Sequence, residues 1–256
     1  MVTQAHNNGY RPRYQEVVGE YGRAILEVVS ETLWPTRCAI CDLPGELLCE
    51  NCRLTLPFVD FLRACPRCGA PFGSIQCSEC NPVALKALKR SELPFSACVC
   101  TTVFSKGAAR LITTYKDRGE QRLGNIIASL MANTIPPAWS FELDAIIAIP
   151  ARGAAIRRRG FDHTAKISEN LSAAMQIPLL EVFERPRSKD QRSLSKRDRA
   201  NNMAHQFLIP DAAKVPQSVL LIDDVFTTGS TLCAASDTLH QAGAQDIRCA
   251  TFARVW

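Results

Sequence analysis

Four Cys-x2-Cys pairs fall within the 43 residues from Cys38 to Cys80. Cys38-x2-Cys41 is followed after seven residues by Cys49-x2-Cys52, and Cys65-x2-Cys68 after eight residues by Cys77-x2-Cys80. A Cys-x2-Cys turn puts two sulfurs on one side of a tight turn, and two such turns complete a tetrahedral four-sulfur shell. Cys68-Gly69 fits that turn. The spacing points to zinc ribbons rather than to an iron–sulfur cluster. A closed shell leaves no open coordination position, so the expected Zn2+ is structural. The predicted ligands are Cys38, Cys41, Cys49, Cys52, Cys65, Cys68, Cys77 and Cys80. Local pairing gives the sets 38/41/49/52 and 65/68/77/80, and interleaved pairing satisfies the same spacing. Cys98, Cys100, Cys233 and Cys249 lie in strand or helix patterns and read as small core residues.

Dense cysteine of this kind means metal before disulfide in a reducing compartment. Met1 to Gln15 is polar and has no apolar signal region. The longest uncharged run, Leu123 to Phe141, is 19 residues but contains Pro136-Pro137, which would break a spanning helix. The expectation is a cytoplasmic chain with no membrane insertion. At 256 residues, 46% hydrophobic and 21% charged, it has room for two domains and is neither disordered nor fibrous. The net charge of +5 arises wholly from residues 93–256, which carry 20 Lys+Arg against 15 Asp+Glu. That excess favours an anionic partner, phosphate or nucleic acid.

The segment 13–34 has a helical period and ends at Trp34-Pro35. Residues 37–81 form the cysteine-rich module. Residues 95–256 alternate in an α/β manner. Strands are expected at Ala97–Phe104, Asp144–Ile149, Pro178–Phe183, Ser218–Ile222 and Asp246–Val255. Helices are expected at Gly107–Tyr115, Arg122–Ala132, Thr164–Met175 and Thr231–Ala242. Apolar runs such as Val219–Ile222 suit parallel strands buried on both faces. The predicted class is α/β, a parallel sheet flanked by helices and preceded by a zinc-ribbon module.

The sharpest motif follows the fourth of these strands. Val219–Ile222 runs into Asp223-Asp224, then Val225-Phe226, then Thr227-Thr228-Gly229-Ser230-Thr231 at the start of a helix. A helix N-terminus offers unpaired N–H groups and partial positive charge. The four hydroxyl residues add donors, and Gly229 lets the backbone close on an anion. This suits a monoester phosphate. The two acids, expected at a strand end outside the core, suit neighbouring sugar hydroxyls or a Mg2+ that binds them. Phosphate beside diol describes a ribose 5-phosphate. An ordinary capped helix would need one such hydroxyl, not four and an acid pair.

Residues 223–231 resemble the phosphoribosyl pyrophosphate (PRPP) loop of type I phosphoribosyltransferases. Together with the cysteine block, the chain resembles the ComF family of competence proteins, the group of ComFC and GntX. Further matches are Tyr115-Lys116, Ile149-Pro150, the run Arg157-Arg158-Arg159-Gly160-Phe161-Asp162, Gln191, Arg199, Asn202 and Ala253-Arg254. The family usually has Asn where Asp162 stands and Gln where His163 stands, so two side-chain amides are missing. The resemblance implies a phosphoribosyltransferase-type sheet, with the loop after Ile146–Ile149 holding pyrophosphate. Pro150-Ala151-Arg152-Gly153 has the small, cationic composition this needs, since Arg grips phosphate oxygens in a fork. Arg157–Arg159 read equally as phosphate contacts or as a solvated charge run. Lys116 and Arg118 are further anion candidates, while Tyr115 can equally pack in the core. His163 reads as a first-turn residue.

Two functional readings follow. In the first, the chain is a phosphoribosyltransferase: Asp223 and Asp224 orient sugar and Mg2+, Thr227–Thr231 hold the 5′-phosphate, and Arg152 and Lys116 meet phosphate. In the second, the fold is catalytically inactive and binds single-stranded DNA. The segment Arg185–Arg199, with seven Lys or Arg in 15 residues, then extends the phosphate track. In the first reading the resemblance implies that it is a flexible hairpin closing over the bound diphosphate, and a solvated loop has the same composition. The resemblance implies a role in natural transformation and DNA uptake in either case, beside a helicase-like DNA translocase.

Overall fold

The computed structural model describes residues 35–87, 89–184 and 207–256. The helical segment expected at 13–34, the basic stretch Arg185–Arg199, Gln191 and Asn202 lie outside the described residues. The described residues fall into two compact units that divide between Cys49 and Glu50. In the first, the chain turns at Cys38–Asp42 and returns through an antiparallel bridge between Arg37 and Pro44.

The second unit is built on five parallel strands: β1 (Ala97–Val103), β2 (Ala145–Ala148), β3 (Leu179–Leu180), β4 (Ser218–Phe226) and β5 (Asp246–Arg254), in the order β1-β5-β4-β2-β3. The helices among the described residues are α1 (Glu50–Leu54), α2 (Pro82–Ala87), α3 (Lys106–Lys116), α4 (Leu123–Ala132), α5 (Trp139–Glu142), α6 (Gly153–Arg159), α7 (His163–Met175) and α8 (Ser230–Gln241). The predicted fold class is therefore observed. Val219, Leu220, Leu221 and Ile222 are all fully buried, as a central parallel strand covered on both faces requires.

The two faces have different cover. Ile147, Ile149, Val219, Leu221, Ile247 and Cys249 join Leu232 and Leu239 of α8 and Cys65, Cys68 and Cys77 of the cysteine block in one apolar cluster. Alternation along the strands sends Ile146, Leu220, Ile222 and Phe252 to the opposite face, where α4 and α7 pack on each other and on the sheet. The four remaining cysteines are buried in the core, as expected.

Two details differ from the sequence expectation. Only Leu179–Leu180 of the strand expected at Pro178–Phe183 pairs, and it does so at the sheet edge beside β2. More important for the site, β4 continues past Ile222 to Phe226, paired with β5 as far as Phe226 opposite Arg254. Asp223 and Asp224 are thus strand residues, and Asp224 is buried. The expectation that both acids stand outside the core is corrected. A buried carboxylate is tolerated there because it has a charged partner, described next.

Candidate ribose-phosphate site

β4 ends at Phe226 and α8 begins at Ser230, so the connection between them is three residues long. Gly229 occupies the cap position in the left-handed region, with φ at 75°. A Cβ placed on it would come within 2.7 Å of Phe226 Cζ. Both facts demand glycine. Gly229 supplies no side-chain cap, so the first-turn N–H groups of α8 are left for other acceptors. Thr228 Oγ1 and Ser230 Oγ sit 2.8 Å apart, and Thr228 Oγ1 accepts from the Ser230 N–H at 3.4 Å. Thr227, Thr228 and Thr231 are exposed, and Ser230 is half-buried. The arrangement is a small nest of N–H and hydroxyl donors open to solvent, fit for a dianionic phosphate.

The acid pair stands immediately before this nest. Lys116, the last residue of α3, forms an ion pair with Asp224 Oδ2. His163, the first residue of α7, lies with Nε2 3.6 Å from the same oxygen. Burial would raise the Asp224 carboxyl, but Lys116 and then His163 hold it below the usual carboxylate range. Asp223 is pushed well above that range, by burial and then by the charge of Asp224. Its Oδ1 accepts from the Asp224 N–H at 2.8 Å. Burial lowers His163 to about 4, so its ring is neutral near pH 7. Arg159 Nη1, which can only donate, lies 3.4 Å from His163 Nδ1, which puts the ring proton on Nε2 facing Asp224. The hard oxygens of an acid pair under mutual repulsion fit Mg2+, which would relieve the strain on Asp223.

The second loop runs from Ile149 into α6. Arg152 is exposed at the cap of α6. The Ala151 N–H donates to Asp162 Oδ2 at 3.1 Å, while Asp162 Oδ1 accepts from the N–H groups of Thr164 and Ala165 at the start of α7. One carboxylate therefore ties this loop to the helix that carries His163. Arg159 and Arg158 reach Asp117 at 3.1 and 3.9 Å, and Arg157 is exposed. Lys116 thus meets the acid pair, and its neighbour Asp117 meets the arginine run. Tyr115 is in the core, its hydroxyl donating to the His163 carbonyl at 2.6 Å.

The eight cysteines of the block gather locally. The sulfurs of Cys38, Cys41, Cys49 and Cys52 lie within 4.8 Å of one another, and so do those of Cys65, Cys68, Cys77 and Cys80. Local pairing is the arrangement adopted. Burial would raise the Cys38 thiol, yet N–H groups of Cys41, Cys49 and Ile40 lower it to about 6. All-sulfur tetrahedral sets of this kind fit structural Zn2+. Arg254 supplies an independent test at the second set. Its side chain is 2% exposed, and its Nε and Nη1 have no hydrogen-bond partner. Nη2 lies 3.9 Å from Cys68 Sγ and 3.7 Å from Glu79 Oε2. A buried guanidinium with one partly exposed carboxylate at 3.7 Å is poorly compensated, whereas Zn2+ with four thiolates carries net negative charge and supplies a second counter-ion.

The Phosphoribosyl transferase domain family matches residues 121–255, over half of the chain. The chain belongs to that family. Its phosphoribosyl transferase domain thus takes in β2 to β5 with both loops described above. Competence proteins are among the chains similar to it. ComFC of Streptococcus pneumoniae is 24% identical over 203 residues, covering 78% of this chain and 84% of that protein. Competence protein F of Haemophilus influenzae is 36% identical over 109 residues, covering 41% of this chain and 48% of that protein. The resemblance to the ComF family is borne out. Among solved structures, orotate phosphoribosyltransferase from Aeropyrum pernix is 19% identical with a TM-score of 0.33, covering 58% of this chain and 69% of that one.

Within the phosphoribosyl transferase domain, the missing amides at 162 and 163 have distinct outcomes. Every partner of Asp162 is a donor, so its carboxylate serves where an amide oxygen would. His163 is buried against Asp224 and is more than the first-turn residue its position implied. Sequence reasoning missed Asp117, Phe226 and Arg254 as parts of the site's frame. The partners of Asp117 and Arg254 lie far along the chain, and the local signal was the mostly apolar neighbourhood of Arg254, Ala250-Thr251-Phe252-Ala253.

Proposed function

We propose that the chain binds PRPP or a ribose 5-phosphate group through its phosphoribosyl transferase domain and acts in DNA uptake during natural transformation. The observation that carries this reading is the acid pair of β4 set directly before the hydroxyl–glycine nest of α8. Thr227, Thr228, Gly229, Ser230 and Thr231 would hold the 5′-phosphate. Asp223 and Asp224 would hold the ribose hydroxyls with Mg2+. Arg152 would meet pyrophosphate from the second loop, and Lys116 would set the charge of Asp224. If the chain turns over, it is a glycosyltransferase releasing pyrophosphate from the sugar C1, with developing charge met by these groups. The names of its competence-protein relatives support the biological setting. The gathering of eight cysteines into two metal-type four-sulfur sets supports a reducing, cytoplasmic one, and no helix among the described residues is long and apolar enough to cross a membrane.

Calorimetry with PRPP plus Mg2+ against a short single strand tests the reading. Saturable, Mg2+-dependent PRPP binding that is lost in Asp223→Asn supports it. Strand binding with no response to PRPP would transfer the assignment to a non-catalytic, single-strand-binding fold.

A further inference from the structure

Arg254 stands between the two sites. On one side its guanidinium approaches Cys68 of the 65/68/77/80 set. On the other its Cζ lies 3.9 Å from the centroid of the Phe226 ring. That ring is the surface on which Gly229 closes, since a Cβ at 229 would strike it. The backbone of Arg254 is separately secured: its carbonyl accepts from the Phe104 N–H at 2.7 Å, and the next N–H, of Val255, donates to the Phe226 carbonyl at 2.9 Å. The side chain can therefore respond to charge without the strand end moving. Phe226 and Cys68 also share one apolar cluster, so the contact is dry.

We propose that Arg254 is a positioning residue that couples metal occupancy of the 65/68/77/80 centre to the geometry of the phosphate loop 227–231. The metal-loaded centre holds the guanidinium through its net negative charge. The guanidinium holds the Phe226 ring by its face, and the ring fixes the cap glycine. Loss of metal leaves the buried guanidinium with Glu79 Oε2, at 3.7 Å, as its remaining anionic partner, and its hold on Phe226 loosens. By linkage, a phosphate ligand in the loop strengthens metal retention by the same factor by which metal strengthens phosphate binding. The phosphate half of this statement rests on the function proposed above.

The test uses the full chain with both centres loaded, and Arg254→Met, which keeps reach and removes charge. Release of zinc to a chelating dye should become about 10–100-fold faster for one equivalent, as loss of a supporting group around a metal does. The second equivalent, from the 38/41/49/52 centre, should be unchanged and reports that the fold is intact. Arg254→Lys should recover most of the retention. Amide hydrogen exchange at 227–231 should rise in Arg254→Met and in Cys68→Ser, but not in Cys41→Ser. Unchanged zinc release in Arg254→Met, or unchanged exchange at 227–231 in Cys68→Ser, overturns the coupling. If Arg254→Met fails to fold, Phe226→Leu breaks the link from the loop side. It should keep both zincs while exchange at 227–231 rises and no longer responds to Cys68→Ser; a response as large as in the Phe226 protein overturns the proposal. Titration of ribose 5-phosphate into the loaded chain then separates the two claims. Absence of binding sinks the ligand assignment, while the exchange readout decides the coupling by itself.

Discussion

Lys116, at the last turn of α3, and Asp224, in the middle of the parallel sheet, form an ion pair in which both side chains are largely buried. The pair sets the charge state of the acid pair before any ligand arrives. It also explains why a strand can carry two consecutive carboxylates into the interior. Removing one partner leaves the other uncompensated. Lys116→Met should destabilise the protein by about 3–5 kcal/mol. Lys116→Met combined with Asp224→Asn should recover most of that loss, because neither charge is then stranded. Denaturant unfolding of the two single variants and the double variant measures the coupling.

His163 predicts a pH dependence of stability. An imidazole in an unfolded chain titrates near 6.5, and burial takes the folded residue down to about 4. Between those values the unfolded chain binds a proton that the native protein does not. The His163 contribution is thus fully present above pH 6.5 and is lost as pH falls toward 4. Asp223, shifted upward, contributes a slope of the opposite sign. The His163 share is the difference between the parent protein and His163→Gln, which should be less acid-sensitive between pH 6.5 and 4. Thermal melts across that range check it, and identical profiles would remove His163 from the account.

The two cysteine centres predict two zinc ions per chain. Cys41→Ser and Cys68→Ser should each lose one, by elemental analysis of reduced protein. Their effects on stability should differ. Cys68 is in the main apolar cluster beneath the sheet, whereas Cys41 is exposed. The Cys68 variant should therefore lower the melting temperature of the phosphoribosyl transferase domain.

Gly229→Ala places a methyl group against Phe226 in a backbone conformation that L-residues avoid. The expected cost is about 1–3 kcal/mol. Ribose 5-phosphate affinity should fall by more than the stability change accounts for, because the donors of the nest move with the cap. Calorimetry beside circular dichroism separates the two effects.

Much of this protein is written locally. The Cys-x2-Cys spacings determine four sulfur-bearing turns, because each pair is one tight turn, while which turns share a set was decided by the structure. The strand, acid pair, hydroxyls and glycine from Val219 to Thr231 determine a strand–nest–helix unit, because apolar runs, cap chemistry and positive φ act within a few residues. The tertiary structure decided what those units meet. Asp224 finds Lys116 at a separation of 108 residues, and Arg254 finds Cys68 at 186. No periodicity or turn signal spans such distances. They are closed by the strand order, which sets β5 between β1 and β4 and so brings the chain's last strand beside the phosphate loop. The burial of Asp224 was illegible for the same reason: a lone carboxylate reads as exposed, and only the packed helix ends that deliver Lys116 and His163 supply the charge and the dry surroundings that keep it inside.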